Sequence, residues 1–191
     1  MMLPRVRAFV LAVTLPIIAV ETANAQSQRF TLSSPAFEDN AMLPLKYAGD
    51  SVCGGDSRGS NISPPLTWTS PPAGTKSFAV LMIDPDGLRG IGSVHWVAYG
   101  IAAERRELKE GEGGAPTADI TNGKNSRGSM GYTGPCGPPV DAPHHYVINV
   151  LALDLAPEAL PPGLDREQLL KSVAGHSLGP ASLVVRYRRA P

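Results

Sequence analysis

The chain has 191 residues, with 17 basic and 17 acidic side chains, four histidines and two cysteines. The balanced charge argues against a nucleic acid or an anionic membrane surface as the main partner, so any anion recognition must be local. The length suits one domain with a real hydrophobic core once the N-terminal segment is set aside.

That segment, residues 1–25, reads as a signal peptide. Arg5 and Arg7 supply a positive start, 8–20 is an apolar stretch, and Ala23-Asn24-Ala25 fits an A-x-A cleavage site. The apolar run is short for a membrane span and Pro16 interrupts it. Cleavage before Gln26 leaves no cysteine at the new N-terminus, which argues against a lipid anchor. The expectation is an exported protein, periplasmic or secreted, whose residues 26–191 form one domain. Loss of Arg5, Arg7 and Glu21 leaves 15 basic and 16 acidic residues, still near neutral.

Beyond the leader the predicted elements are mostly strands. "RFTLS" (29–33) and "LPLKY" (43–47) are short enough for edge strands, since Pro44 cannot donate a ladder hydrogen bond. "PPLTWTS" (64–70) continues the pattern. The strongest strand signals are 77–84, 94–101 and 145–154, rich in Val, Ile, Leu and aromatics. Between 109 and 143 runs a long excursion of Gly, Pro, Asn and Ser, of a length usually functional or disordered in a compact domain. "APEAL" allows a short helical turn. One helix is predicted over "REQLLKSVA", with Asp165 as N-cap, Glu167 favourable to its dipole and Gly175 as stop. A last strand is expected over 181–188. Many strands, one helix and long loops predict a β-sandwich with Greek-key connections.

Alternation along strands groups the polar residues. Asp84 shares a face with Phe78, Val80 and Met82. His95 falls with Val97 and Tyr99, opposite Trp96. His144 and Tyr146 share a face with Ile148 and Val150, and His145 takes the other. The strand ends therefore permit Asp84, Asp86, His95, His144 and Tyr146 to converge. Plainer roles stand beside this: Asp-Pro-Asp-Gly is also a turn sequence, His95 a strand-end histidine, and Tyr146 a core ring with its hydroxyl at the rim. Trp68 and Trp96 read as packing, His145 as a surface group and His176 as a residue at the helix C-terminus. The glycines of "SRGSMGYTGPCGPP" would let backbone N–H groups approach an anion. In an oxidising compartment Cys53 and Cys136, without zinc-type companions, read as one disulfide.

In this order, "NISPPLTW", "AVLMIDPDG", "VHWVAYGI", "GYTGPCGPP", "HHYVINVLALD" and "AGHSLGPASLVVRYRR" resemble the phosphatidylethanolamine-binding protein family, in its bacterial Raf-kinase-inhibitor-like branch. The resemblance implies a large antiparallel sheet packed on a smaller one with a few peripheral helices. It also implies a small pocket for phosphate-like or carboxylate anions, phospholipid headgroups included. The D-P-D motif falls on Asp84, Pro85 and Asp86, and the family histidine on His95. The Gly-Pro segment falls on Gly134, Pro135 and Cys136, and the H-x-Y motif on His144 and Tyr146. Ser126 and Arg127 stand where relatives usually have an aspartate and an aromatic, and Gly137 is an extra residue in the loop. Arg127 would add a cation near the mouth.

The resulting expectation is a binding protein without cofactor or catalysis, in which Asp84 and Asp86 orient His95 and His144 toward an anion. The imidazole N–H groups, the Tyr146 hydroxyl and loop amides would hold that anion more tightly as pH falls through roughly 6 to 7. Two other readings remain open: a protein-interaction or inhibitor module, and a metal-assisted hydrolase using Asp and His. Against the hydrolase, the sequence has no H-E-x-x-H and no G-x-S-x-G.

Overall fold

The computed structural model describes residues 29–50, 59–114, 117–137 and 142–189. The expected leader, its cleavage site and Cys53 lie outside these residues. Among the described residues no helix is long and apolar enough to cross a membrane.

Among the described residues, nine strands form two sheets. β1 (Thr31–Ser33), β3 (Leu66–Thr69) and β6 (Glu107–Leu108) make the smaller one, in the order β1-β3-β6. The larger has the order β2-β9-β8-β4-β5-β7, from β2 (Ala41–Met42), β4 (Ser77–Asp84), β5 (Ser93–Ala102), β7 (Thr121–Asn122), β8 (His144–Leu153) and β9 (Ser177–Tyr187). The neighbours β8-β4-β5-β7 have the Greek-key order, the later strand β8 returning beside β4. The large sheet is antiparallel except at one edge, where β2 runs parallel to β9.

The sandwich interior holds Trp68, Phe78, Met82, Trp96, Tyr146 and Ile148, all fully buried. A short helical turn, α1 (Gly87–Gly90), follows β4. The other face of the large sheet is covered near its centre by α2 (Arg166–Ser172), whose Leu169 packs with Ala79, Leu81, Val97 and Tyr99. β4 is therefore covered on both sides, which explains why "SFAVLMI" is continuously apolar and does not alternate with polar residues. The predicted helix is fixed by a capping box: the Gln168 amide donates to Asp165 Oδ1 at 2.9 Å, and the Asp165 amide to Gln168 Oε1 at 3.0 Å.

Two expectations change. Residues 43–47 are not a strand. Pro44 (φ −58°) leads into a 3-10 turn, Leu45–Tyr47, and the edge pairing falls to Ala41–Met42 just before it. The long excursion from 109 is not structureless either. β7 pairs with β5 inside it, and Lys124 bridges to both Met130 and Asp165. The "APEAL" turn is the 3-10 segment Pro157–Ala159.

Gly123 holds this excursion against the sheet, its N–H donating to the Val97 carbonyl at 2.8 Å. A Cβ there would lie 2.1 Å from the Leu164 carbonyl oxygen and 2.6 Å from a Val97 methyl. Backbone on one side and a buried strand on the other leave no room for relaxation. Gly123→Ala is expected to lower stability by about 1–3 kcal/mol, read as a lower urea midpoint with an unchanged m-value.

Candidate functional site

The site forms where β4, β5 and β8 end together. Continuing the β4–β8 register, in which Ile83 faces Val147, brings Asp84 opposite Tyr146. Asp84 is 4% exposed and its carboxylate is fully engaged. Oδ1 accepts the amides of Asp86 (3.0 Å) and Gly87 (2.9 Å), and Oδ2 accepts His144 Nδ1–H at 2.9 Å. One side chain thus closes the Asp-Pro-Asp-Gly turn and fixes the first ring of β8.

Asp86 behaves differently. Its Oδ2 accepts the backbone N–H of His145 (2.8 Å) and the ring Nδ1–H of the same residue (3.0 Å). The amide, then the ring, hold the Asp86 carboxyl below the usual carboxylate range. Asp86 therefore orients His145, expected to be a surface group, and neither His95 nor His144. The backbone decides this: the amide of His145 points at the turn, and its ring follows.

His95 reaches the site by a device that simple alternation misses. Met82 pairs with Trp96 and Ile83 with Val94, so His95 is the extra residue of a β-bulge. A bulge rotates the local side-chain direction, and His95 leaves the face of Val97 and Tyr99 to stack edge-on against Tyr146 at 5.1 Å. The loop after β7 locks it there. The Thr133 amide donates to the His95 carbonyl at 2.8 Å, and His95 Nδ1–H donates to the Thr133 carbonyl at 2.7 Å. Burial pushes the His95 pKa below its ordinary value. The Thr133 carbonyl opposes that shift, and the nearby Arg127 charge adds to it.

The loop wall is built closely. The Gly134 amide donates to Asn61 Oδ1 at 2.7 Å and the Pro135 carbonyl accepts from Gly49 at 2.9 Å. A Cβ on Gly134 would sit 2.5 Å from the backbone of Ala48 and Gly49, so only glycine fits. Arg127 Nη2 lies 3.2 Å from Cys136 Sγ, beside this wall. Ser126 Oγ accepts the Val94 amide at 2.8 Å and so tethers the start of β5. A Cβ added at Gly137 would lie 4.0 Å from the Tyr146 hydroxyl.

Tyr146 is wholly buried rather than at a rim, and its hydroxyl lies against the Asp84 carboxylate without a well-formed hydrogen bond. Burial, then the adjacent Asp84 charge, push its pKa up, so it stays a proton donor. Beside His144 lies an open cleft of about 380 Å³ lined by Asp86, Ala142, Pro143, His144 and His145. A second cleft of about 240 Å³ contains Asn61, Arg127, Tyr132 and Thr133 on the other side of the loop. Among the described residues no three His, Cys, Asp or Glu side chains are grouped to hold a metal.

Sequence reasoning missed Thr133, Asn61 and Asn125. Buried Asn125 donates to Gly131 O and Thr133 Oγ1 and accepts from the Arg127 amide and Ser129, organising the loop that holds His95. An asparagine inside a Gly/Ser run was the available signal. It does not identify which carbonyls the side chain will find. Trp68 and Trp96 are fully buried as expected. His176, just past the helix, pairs with Asp154 at 2.8 Å, far from the site in the sheet.

A sandwich with this strand-end cluster defines a recognisable class, and the chain belongs to the phosphatidylethanolamine-binding protein family, whose sequence profile matches residues 33–188. Among its relatives, a UPF0098 protein of Methanothermobacter thermautotrophicus is 36% identical over 83% of this chain and 98% of its own. Escherichia coli YbcL is 36% identical over 72% of this chain and 75% of that protein. The crystal structure of YbcL, titled a member of the mammalian PEBP family, superposes with a TM-score of 0.75, covering 84% of this chain and 98% of the other at 29% identity. A Chlamydia trachomatis homologue of the family superposes with a TM-score of 0.70, at 30% identity, over 84% of this chain and 97% of its own.

Because His95 titrates lower folded than its ordinary 6.5, the unfolded chain binds more protons just below that value. Stability from this residue is complete above about pH 6.5 and falls as pH drops toward the folded value. The urea midpoint is expected to fall less between about pH 7.5 and 5 in His95→Gln, whose amide can still reach Thr133, than in the parent protein. Equal falls in both would remove His95 as the cause.

Proposed function

We propose that this protein is an exported, non-enzymatic binder of phosphate-like anions, phospholipid headgroups included, and that Asp84, Asp86, His95, Gly134, Pro135, His144 and Tyr146 form its pocket. The observation that carries the reading is the convergence of His144, His95 and the buried Tyr146 around the Asp84 carboxylate.

Tautomer logic sharpens the expectation. Both His95 and His144 donate Nδ1–H to an oxygen, so in the neutral state each Nε2 carries only a lone pair. A neutral pair of this kind does not donate to an anion. Either the ring gains a proton, or the ligand brings one, as a monoprotonated phosphate does. In both cases the complex needs a shared proton, and affinity rises as pH falls through roughly 6 to 7. The N–H groups donated to the two aspartates offset part of their repulsion of an anion, and the shared proton offsets more.

The leader-like N-terminal sequence supports export, as does similarity to a Mycobacterium tuberculosis candidate lipoprotein, LppC, at 35% identity over 83% of this chain. In that setting a Cys53–Cys136 disulfide is part of the proposal, closing a loop of roughly 80 residues with a gain on the order of 4 kcal/mol. Alkylation of the native protein followed by mass spectrometry is expected to leave both cysteines unmodified until a reductant is added.

Phosphate titrated by calorimetry is expected to bind at least tenfold tighter at about pH 5.5 than at pH 8. His144→Ala should abolish that difference and most of the affinity. Affinity indifferent to both pH and His144→Ala, or phosphatase activity that depends on His144, would sink the reading.

A further inference from the structure

The turn that follows Asp86 carries a feature the anion pocket does not use. Its Ile91 and Leu88 are 87% and 63% exposed, the two most exposed large apolar side chains among the described residues. They flank Arg89, which makes no ion pair among those residues. Leu88 (φ 50°) and Arg89 (φ 60°) are both left-handed, a conformation that side-chain-bearing residues resist and that persists where surrounding structure imposes it. The imposing contacts are on the inner edge. Asp84 Oδ1 takes the Asp86 and Gly87 amides, Gly92 N–H donates to Gly87 O at 3.0 Å, and a Cβ on Gly87 would meet Asp84 and Ser93 at 3.0 Å. The turn is bolted at its base to the aspartate that orients His144, and it presents an apolar–basic–apolar tip.

We propose that this tip, Gly87–Gly92, docks on an anionic phospholipid bilayer, Leu88 and Ile91 entering the interfacial region while Arg89 meets headgroup phosphates. Size favours a bilayer over a protein. Two side chains fall far short of the roughly 800 Å² per partner that a stable protein interface buries. A few apolar residues with a cation are enough for reversible interfacial binding. Charge agrees: the carboxylates nearest in sequence, Asp84 and Asp86, are already taken by His144 and His145, so the tip presents Arg89 as its own charge. The placement rests in part on the anion-pocket reading, since it brings the rim residue Asp86 and the cleft beside His144 to the headgroup layer.

The test is sedimentation of the exported-length chain with vesicles of phosphatidylethanolamine and phosphatidylglycerol, with phosphatidylcholine vesicles alongside. The parent protein is expected to pellet with the anionic vesicles and weakly with the neutral ones. Leu88→Ser/Ile91→Ser should weaken binding at least tenfold, because each aliphatic side chain taken from water is worth about tenfold or more. Arg89→Gln should weaken it severalfold and flatten its salt dependence. The fluorescence of an Ile91→Trp protein should shift to the blue when anionic vesicles are added. The phosphate titration of the serine variant should match the parent, both changes being on exposed side chains. A parent protein that stays in the supernatant, a serine variant that pellets equally well, or an Ile91→Trp protein whose emission does not move on the vesicles would overturn the tip. Loss of phosphate binding in His144→Ala bears on the pocket alone, so the two readings fail separately.

Discussion

The Asp84 carboxylate is the interaction on which the site depends. It is a charge at the end of a buried strand, and such a charge is tolerated only when its lone pairs are filled. Two backbone amides from the turn and one imidazole N–H fill them. Each bond has a structural consequence: the amides shape the Asp-Pro-Asp-Gly turn, and the imidazole fixes the start of β8 beside β4. Tyr146, next along β8, then lies against the carboxylate and under the ring of His95. An electrostatic requirement of β4 thus gathers groups from three strands.

The same hydrogen bonds bear on the electrostatics of the proposed pocket. Asp84 Oδ2 and Asp86 Oδ2 accept N–H groups from His144 and His145, which makes these two oxygens less available to a cation. His144 and His145 line the open cleft, while the His95 ring is buried. His95 adds a constraint of its own: its burial disfavours the charged ring, while an anion close by would favour it. Ligand and proton are therefore coupled in the proposed pocket, each lowering the cost of the other.

The fold was largely legible because β4, β5 and β8 are strongly apolar and their polar ends fall where the strands stop. The face shared by His144, Tyr146 and Ile148 followed from period two, and Asp165 announced its helix through a side chain that acts locally. What was not legible depends on register. A bulge moves His95 to the opposite face, and no single residue of "SVHWV" signals it, since the extra residue exists only relative to Met82 and Ile83 on the partner strand. The partner of Asp86 was misassigned for a related reason: a backbone amide, invisible in composition, competes with the ring nitrogens. The reading of 43–47 as a strand failed because Pro44 suits an edge strand and the entry to a 3-10 turn equally, and the tie was broken by β9, which takes Ala41–Met42 as its neighbour.

The proposed function has the described groups hold a ligand rather than transform it. The cleft beside His144 is lined by Asp86, Ala142, Pro143 and His145. The Tyr146 phenol has its pKa pushed up by burial and by Asp84, which makes it a better donor of a hydrogen bond than a nucleophile. Both site histidines spend one nitrogen on structure, and changing their position would break either the Asp84 turn or the Thr133 loop. Groups so tightly tied suit a fixed seat for a negative charge. The exposed turn beside them, held by that same Asp84, is where such a seat would meet a surface rather than a solute.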